Sequence, residues 1–260
     1  MQTLPNITLT NEECKNLLRN RRFAKGGESV ICHSDNQHTL YKIFVIDPTI
    51  EIATPMSDNK FSKIKSLYKK RLEHATHPLS TISMNGELIG YEMTYDPAFI
   101  PLEKMDLSRK EMIRALKETR EILLYFDSKD ITYSDIKSDN ILINPKTHKI
   151  MFCDMDNTRV GEYPVDLKCF NLMRFYEIYG KMDNVVQAYM HNLLTLQQLG
   201  FTSDLELPSG ELSTSYHSII TALRHGKRPT KFKQGANEIF DSMTSPQTFN
   251  GEYAIQYIKR

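Results

Sequence analysis

The 260-residue chain has only four cysteines, and no two of them form a C-x-x-C pair. Cys14, Cys32, Cys153 and Cys169 are far apart, so their spacing favours neither a zinc cluster nor a disulfide framework. The histidines are not spaced as ligands with these cysteines, which argues against a transition-metal site. We therefore expect four reduced thiols and a reducing compartment.

The sequence also lacks a long apolar run and a large net charge. No segment reaches the length of a membrane helix, and the first residues, MQTLPNITLTNEE, contain no positive stretch followed by an apolar one. With 33 Lys and Arg against 32 Asp and Glu, the net field attracts neither nucleic acid nor an anionic membrane. The sequence thus predicts a soluble protein that binds neither, located in the cytoplasm or exported into another cell. It indicates no oligomeric state.

Short apolar runs and turn residues predict a strand-rich first part. Residues 22–44 are expected to form two or three antiparallel strands, and Asn85-Gly86 between two apolar runs is a strong hairpin signal. Between them, residues 60–72 carry apolar residues at helical spacing among lysines. This segment is expected to be an amphipathic helix with a solvated basic face, or alternatively a contact for an acidic partner.

The second part of the chain is predicted to be mainly helical. Ser108 and Glu111 form a capping box that begins a long helix ending near Ser128. Two short strands are expected at residues 141–143 and 150–153, and helices from Asp166 onward. The order predicts an α+β chain, whereas the last fifty or so residues have no assignable role.

The segment from Tyr133 to Asn157, YSDIKSDNILINPKTHKIMFCDMDN, carries the groups that phosphoryl transfer needs. That reaction requires a carboxylate that orients the acceptor, oxygen ligands for Mg²⁺, and a cation near the moving phosphoryl group. The residue types that match these needs, in that order of role, are Asp135, Asn140 with Asp154, and Lys137.

These residues resemble two motifs of the protein kinase family, the catalytic loop H-R-D-L-K-x-x-N and the magnesium loop D-F-G. Here they occur as YSDIKSDN, residues 133–140, and as DMD, residues 154–156. The resemblance implies that Asp135 accepts the substrate hydroxyl proton, that Lys137 contacts the γ-phosphate, and that Asn140 and Asp154 hold Mg²⁺. It covers roughly residues 22–180.

Upstream residues fit the same resemblance by their order along the chain. The pair Gly26-Gly27 and Val30 would form a glycine-rich loop over the phosphates of ATP, although Gly-Gly alone is usually only a turn. Lys42 matches the strand lysine that contacts the α- and β-phosphates. Met93 and Tyr95 would lie at the hinge that contacts adenine, with Met93 as gatekeeper, or would be plain core residues.

Several positions depart from the family pattern. Only about a dozen residues separate Asp154 from Asp166, so the activation segment is nearly absent, and Ser134 replaces the arginine that pairs with a phosphorylated segment. Asp156 replaces glycine and could present a second carboxylate to the metal. No glutamate is evident as the partner of Lys42, because Tyr68 falls near the expected helix position. Tyr133 replaces the family's histidine and is expected in the core. Asp166 resembles the family's buried aspartate that ties to the backbone of the catalytic loop, and it would also serve as an ordinary helix N-cap.

The resemblance implies a bilobal kinase-like fold, with a strand-rich lobe at residues 1–95 and a helical lobe at residues 96–260. The favoured activity is phosphorylation of serine or threonine hydroxyls in a protein substrate, with ATP and Mg²⁺ as cofactors. Two alternatives stay open. One is a pseudokinase that binds without transferring, suggested by the missing glutamate and the altered magnesium loop. The other is a small-molecule kinase of the aminoglycoside-phosphotransferase type, suggested by the short segment after Asp154.

Overall fold

A computed structural model of the chain describes residues 3–46 and 52–164, together with Gln187, Met190, His191, Leu194, Thr195 and Gln198. Asp166, Cys169 and the helices predicted after residue 165 otherwise lie outside these residues. The described chain is mixed α+β, with three α-helices. In order, its elements are β1 (Asn6–Leu9), α1 (Asn11–Asn20), β2 (Arg22–Lys25), β3 (Ser29–His33), β4 (Thr39–Phe44), α2 (Asp58–Lys70), β5 (Pro78–Met84), β6 (Glu87–Thr94), β7 (Ile100–Pro101), α3 (Arg109–Ser128), β8 (Ile131–Thr132), β9 (Ile141–Ile143), β10 (Ile150–Phe152) and β11 (Arg159–Val160).

The chain divides into two compact units. The first comprises Met1–Ile100 and Met151–Asp156, and the second comprises Pro101–Ile150 and Asn157–Arg260. The lobe boundary predicted after Tyr95 lies close to the end of the first stretch, but the prediction does not assign Met151–Asp156 to the strand-rich part. No helix in the described part of the chain is long and apolar enough to cross a membrane.

Six strands of the first unit form one sheet in the order β1-β5-β6-β4-β3-β2. Strand β1 runs parallel to β5, and the other neighbours are antiparallel. The predicted hairpin joins β5 to β6: Asn85 and Gly86 have φ of 54° and 83°, as a tight two-residue turn between twisted strands requires. The expected strands are therefore confirmed, whereas β1 and α1, which precede residue 22, are additional elements.

Each face of this sheet carries a different apolar cluster. One cluster includes Val30, Ile43 and Cys32 together with residues of α1, and the other includes Leu40, Phe44 and Ile64 of α2. Because side chains alternate along a strand, Lys42 in β4 points to the same face as Leu40 and Phe44. The α2 side of the sheet is thus the side on which Lys42 lies.

Helix α2 confirms the predicted helix, from the N-cap Ser57 to Arg71, which takes the left-handed conformation that ends it. The predicted solvated basic face is wrong for two of its lysines. Lys60 is 6% exposed and Lys63 is 1% exposed. They lie on the same helix face as Ile64 and Leu67, which the sheet covers.

Gly90 in β6 lies where no side chain fits. A Cβ at this position would approach the backbone oxygen of Lys42 in the paired strand β4 to 2.2 Å. We expect Gly90→Ala to lower the free energy of unfolding by about 1–3 kcal/mol, because backbone must move to accept the methyl group. Urea denaturation measures this loss. In Gly27→Ala the new Cβ meets nothing within 4 Å, so that matched variant should be near neutral, and equal losses would contradict the explanation.

In the second unit, helix α3 begins at the predicted capping box of Ser108 and Glu111 and ends at Ser128. Its buried face includes Leu116, Leu123 and Phe126. Tyr133, which follows the helix, is fully buried, as predicted, and its ring packs beside that of Phe126. This aromatic contact joins the start of the loop at residues 133–140 to helix α3.

His191 in the second unit is fully buried, with its Nδ1 3.5 Å from Nη1 of Arg120. Burial and the Arg120 charge hold the pKa of His191 well below its ordinary value. The unfolded histidine, with a pKa of ~6.5, takes up a proton that the folded one does not bind, so the free energy of unfolding falls as the pH drops below that value. We expect His191→Gln to flatten the decline in free energy of unfolding between pH 7.5 and 5.5 by about 1 kcal/mol. An unchanged profile would contradict the buried neutral ring.

Candidate functional site

In the first unit, Lys42 is brought to two aspartates that are distant in sequence. Lys42 is 3% exposed, in an interior strand, and so is not an edge charge. Its Nζ donates to Oδ1 of Asp154 and, at 2.7 Å, to Oδ1 of Asp156. The strand lysine and the aspartate predicted to hold magnesium therefore lie side by side.

The two aspartates are positioned by the end of strand β10. Phe152 donates from its backbone to His74 at 2.7 Å and accepts from Thr76 at 2.8 Å, which holds the strand against residues 74–76 of the same unit. Asp154 then takes a φ of 60°, in the left-handed region, and a 3-10 turn begins at Met155. This reversal leaves the Asp154 side chain 28% exposed and Asp156 fully buried.

Lys60 of helix α2 completes this buried network. Its Nζ lies 3.4 Å from Oδ2 of Asp156 and also donates to Glu28, next to the predicted glycine-rich loop. The hydroxyl of Tyr91 donates to Oδ1 of Asp156 at 2.8 Å. The ring of Phe44 lies 4.6 Å from Nζ of Lys60 and 5.7 Å from that of Lys42, where it offers its face to both cations.

The pKa shifts of Lys42 and Asp156 favour the charged form of each. Burial by itself would lower the pKa of Lys42, but the Asp154 and Asp156 carboxylates outweigh it and hold that pKa well above its ordinary value. Burial would raise the pKa of Asp156, but Lys42 and Lys60 hold it below the ordinary range. Burial and the Asp156 charge raise the pKa of Tyr91, so its hydroxyl stays protonated and donates.

The residues of the first unit that are predicted to contact nucleotide lie at different places around the sheet. Gly26 and Gly27 lie in the turn between β2 and β3, as expected for a glycine-rich loop. The side chain of Val30 does not face Lys42. Its side chain is 0% exposed and packs in the α1 cluster, on the opposite face of the sheet from Lys42. Ile31, paired with Lys42, faces the Lys42 side, because a shift of one residue reverses the face.

The hinge residues belong partly to the sheet. Met93 is 8% exposed and packs in the cluster with Leu40 and Phe44. The backbone N–H of Tyr95 donates to the oxygen of His38 at 2.8 Å, so a contact with adenine here would use the Tyr95 carbonyl oxygen or its ring. That ring meets the half-exposed ring of Phe23 at 5.2 Å between centroids.

The second unit brings together the predicted catalytic residues. Nδ2 of Asn140 donates to Oδ2 of Asp135 at 2.8 Å and to its backbone oxygen at 3.0 Å. Nζ of Lys137 lies 3.2 Å from the same Oδ2 and 3.5 Å from a carboxylate oxygen of Asp139. The D-x-K-x-x-N spacing thus folds into one cluster, with Asn140 buried and the Lys137 side chain 44% exposed.

Further contacts fix this loop within the second unit. Ser134 donates from Oγ to the backbone oxygen of Asn157 at 3.0 Å. The Tyr133 N–H donates to Oε1 of Gln187 at 2.7 Å, and Nε2 of Gln187 donates to the Leu123 oxygen at 3.3 Å. These hydrogen bonds hold the first residues of the loop in place. Asp166, the residue predicted to tie this loop, lies outside the described residues.

The chain turns back soon after Asp156. Strand β11 pairs with β8, and Arg159 donates to Asp130 and to the Gly161 oxygen, both at 2.9 Å. Val160 and Tyr163 then form a further bridge. Within the described residues, which reach Pro164 here, no long segment separates the magnesium-loop residues from this pairing.

Each unit has an oxygen donor of the kind that binds hard cations. The described residues contain no group of three or more His, Cys, Asp and Glu side chains able to hold a metal ion. Asp154 and Asn140 offer carboxylate and amide oxygens, the donor types that suit Mg²⁺, which keeps several water or phosphate ligands. Asp156, for which a metal role was also predicted, is fully buried, and its Oδ1 is bonded to Lys42 and Tyr91.

Sequence reasoning missed Lys60, Glu28 and Tyr91. One signal was available: Lys60 precedes Ile64 and Leu67 by four and seven positions, which places it on the buried face of the helix. Glu28 directly follows the paired glycines. No pattern marks Tyr91, because its role depends on the register of β6 against β4.

Comparisons of the sequence with protein families and with curated proteins found no relative of this chain. No protein-family model matches the chain, and no curated protein matches it at a significant level of similarity. The proposed function therefore depends on the residues around Lys42 in the first unit and around Asp135 in the second.

Proposed function

We propose that this protein is an ATP-dependent phosphotransferase with a bilobal kinase-like fold that phosphorylates serine or threonine hydroxyls of a protein substrate. One observation carries the proposal: Lys42 and Asp154, 112 residues apart, are ion-paired in the first unit. The resemblance to protein kinases requires these two residues to act on the same nucleotide, and the motif spacing alone does not make them neighbours.

The residues present suit a magnesium nucleotide. Asp154 offers a partly exposed carboxylate, and the hydrogen bonds from Asn140 to Asp135 orient its amide, whose oxygen is the cation-binding atom. Asn140 and Asp154 would hold Mg²⁺, which when bound neutralises charge on the β- and γ-phosphates. Lys42 would bind the α- and β-phosphates, and the turn at Gly26 and Gly27 would contribute backbone amides to the phosphates.

In the proposed reaction, Asp135 accepts the proton of the substrate hydroxyl as its oxygen attacks the γ-phosphorus. The bond from that phosphorus to the bridging oxygen of ADP breaks, and ADP leaves with the bonding electrons. Lys137 stabilises charge on the transferred phosphoryl group. The products are ADP, a phosphorylated hydroxyl and the proton held on Asp135.

The early pairing of β11 with β8 favours a second candidate, a small-molecule kinase. A protein substrate usually docks against an activation segment. Here Arg159, three residues after Asp156, already forms an ion pair with Asp130 and pairs with β8, which leaves little chain for such a segment before β11. The network of Asp156 and Lys60, in place of a helix carboxylate, favours the third candidate, a pseudokinase that binds nucleotide only.

Transfer of label from γ-labelled ATP tests the proposal. Purified protein is incubated with Mg²⁺ and a panel of protein and aminoglycoside-like acceptors, beside Asp154→Asn. Label on serine or threonine of a protein is the expected result. Label only on small molecules indicates the second candidate. Nucleotide-dependent thermal stabilisation without transfer indicates the pseudokinase, and neither binding nor transfer would refute all three.

A further inference from the structure

Helix α2 cannot provide the carboxylate that usually fixes a phosphate-binding lysine. Its single acidic residue is Asp58, which is exposed in the first turn. The residue that it sends into the network around Lys42 is a cation, Lys60. Because an ammonium group on a flexible four-carbon stem needs a partner to hold one position, the carboxylate must come from elsewhere.

Asp156 has the placement that this role requires. It is fully buried, its Oδ1 accepts from Lys42 at 2.7 Å and from Tyr91 at 2.8 Å, and its Oδ2 lies 3.4 Å from Lys60. Oδ1 thus accepts two hydrogen bonds, whereas Oδ2 is buried without a hydrogen bond and faces Lys60 in an ion pair. A carboxylate in this setting holds cations in place rather than exchanging its partners with water.

We propose that Asp156 is a positioning residue that fixes Lys42 for nucleotide binding and takes the place of a carboxylate from helix α2. This inference rests on the proposed function, since it concerns the lysine that would contact the phosphates. It replaces the metal-binding role predicted for Asp156 with one that acts through Lys42.

The two aspartates beside Lys42 would then have different roles, Asp154 in binding metal and Asp156 in positioning Lys42. Asp154 is 28% exposed and can turn to a new partner, whereas Asp156 is 0% exposed and stays with Lys42. Lys42 thus keeps one carboxylate partner when Asp154 is engaged elsewhere. Lys60 also donates to Glu28, which directly follows Gly26 and Gly27. The turn with the paired glycines is therefore linked through Lys60 and Asp156 to Lys42.

Binding of a fluorescent ATP analogue separates this role from a metal-ligand role. We expect Asp156→Asn to weaken affinity about tenfold or more, both with Mg²⁺ and in EDTA, because Lys42 contacts phosphate directly. Asp154→Asn should weaken affinity mainly with Mg²⁺. Asp35→Asn, a change at an exposed carboxylate of the same unit, is the matched control and should leave affinity unchanged. A loss in Asp156→Asn confined to Mg²⁺ would assign Asp156 to the metal and overturn the proposal.

A double-mutant cycle tests whether Asp156 acts through Lys42. The affinity of Lys42→Met with Asp156→Asn should equal that of Lys42→Met alone within about threefold. Losses that multiply would indicate an independent role and overturn the proposal. Where Asp156→Asn does not fold, Tyr91→Phe replaces it in the cycle, with a loss of about threefold expected from one missing hydrogen bond to Asp156.

The wild type distinguishes the two levels of failure. A wild-type protein that binds no ATP analogue refutes the proposed function and this inference together. A wild type that binds, with Asp156→Asn equally tight in EDTA, refutes the positioning role alone.

Discussion

Replacing Asp135 by asparagine is expected to lower the rate of phosphoryl transfer about 100-fold to 10,000-fold, the range typical for loss of a general base. The amide keeps the size of the side chain, but it cannot accept the proton of the attacking hydroxyl. ATP binding should change little, because Asp135 acts on the acceptor. Steady-state transfer of label, with kcat and the KM for ATP determined separately, measures the two effects.

Asp106→Asn is the matched control for this variant, since it removes an exposed carboxylate from the same unit. It should transfer at the wild-type rate. An Asp135→Asn protein that retains transfer within a few-fold of wild type would show that another group accepts the proton.

Replacing Lys42 by methionine is expected to lower the free energy of unfolding by about 3–5 kcal/mol, without any nucleotide present. The change removes the cation from Oδ1 of Asp156 and leaves that carboxylate buried, with Lys60 as its other charged partner. Urea denaturation followed by circular dichroism measures the loss.

The double variant Lys42→Met with Asp156→Leu should recover part of this stability, because it removes the buried negative charge together with its partner. Lys69→Met, at an exposed lysine of helix α2, should lie within about 0.5 kcal/mol of wild type. A Lys42→Met protein as stable as the Lys69→Met control would contradict the buried network.

Local signals in the sequence were sufficient for most elements of the fold. The Asn85-Gly86 turn, the capping box of helix α3 and the apolar spacing in helix α2 each act over a few residues, and each gave a correct element. Helix α1 has an equally local signal, the Thr10 and Glu13 capping box, although it lies before the segment that resembles a kinase.

Side-chain direction was harder to predict than the existence of the strands. Val30 was predicted as part of the glycine-rich loop over ATP, and its side chain faces α1, while Ile31 faces the side of Lys42. The segment offers hydrophobic residues on both faces, because helices pack against both sides of the sheet. Alternation therefore did not distinguish the two faces in this strand.

The candidate site was predictable where its residues are close in sequence. The spacing of Asp135, Lys137 and Asn140 within one loop anticipates their cluster. The partners of Lys42 depend on contacts between residues more than 100 positions apart, and the family pattern suggested a helix carboxylate that this chain lacks. That Asp156 and Lys60 lie next to Lys42 and to each other is evident only from the folded structure of the first unit.

Cleavage of the backbone by bound iron most directly tests whether the two clusters serve one nucleotide. Fe²⁺ with ATP replaces Mg²⁺ with ATP, and ascorbate with peroxide generates radicals that cut the chain beside the metal, with the fragments identified by mass spectrometry. The account predicts ATP-dependent cuts near both Asn140 and Asp154, and their loss in Asp154→Asn. Cuts near only one of these residues, or cuts that do not depend on ATP, would contradict it.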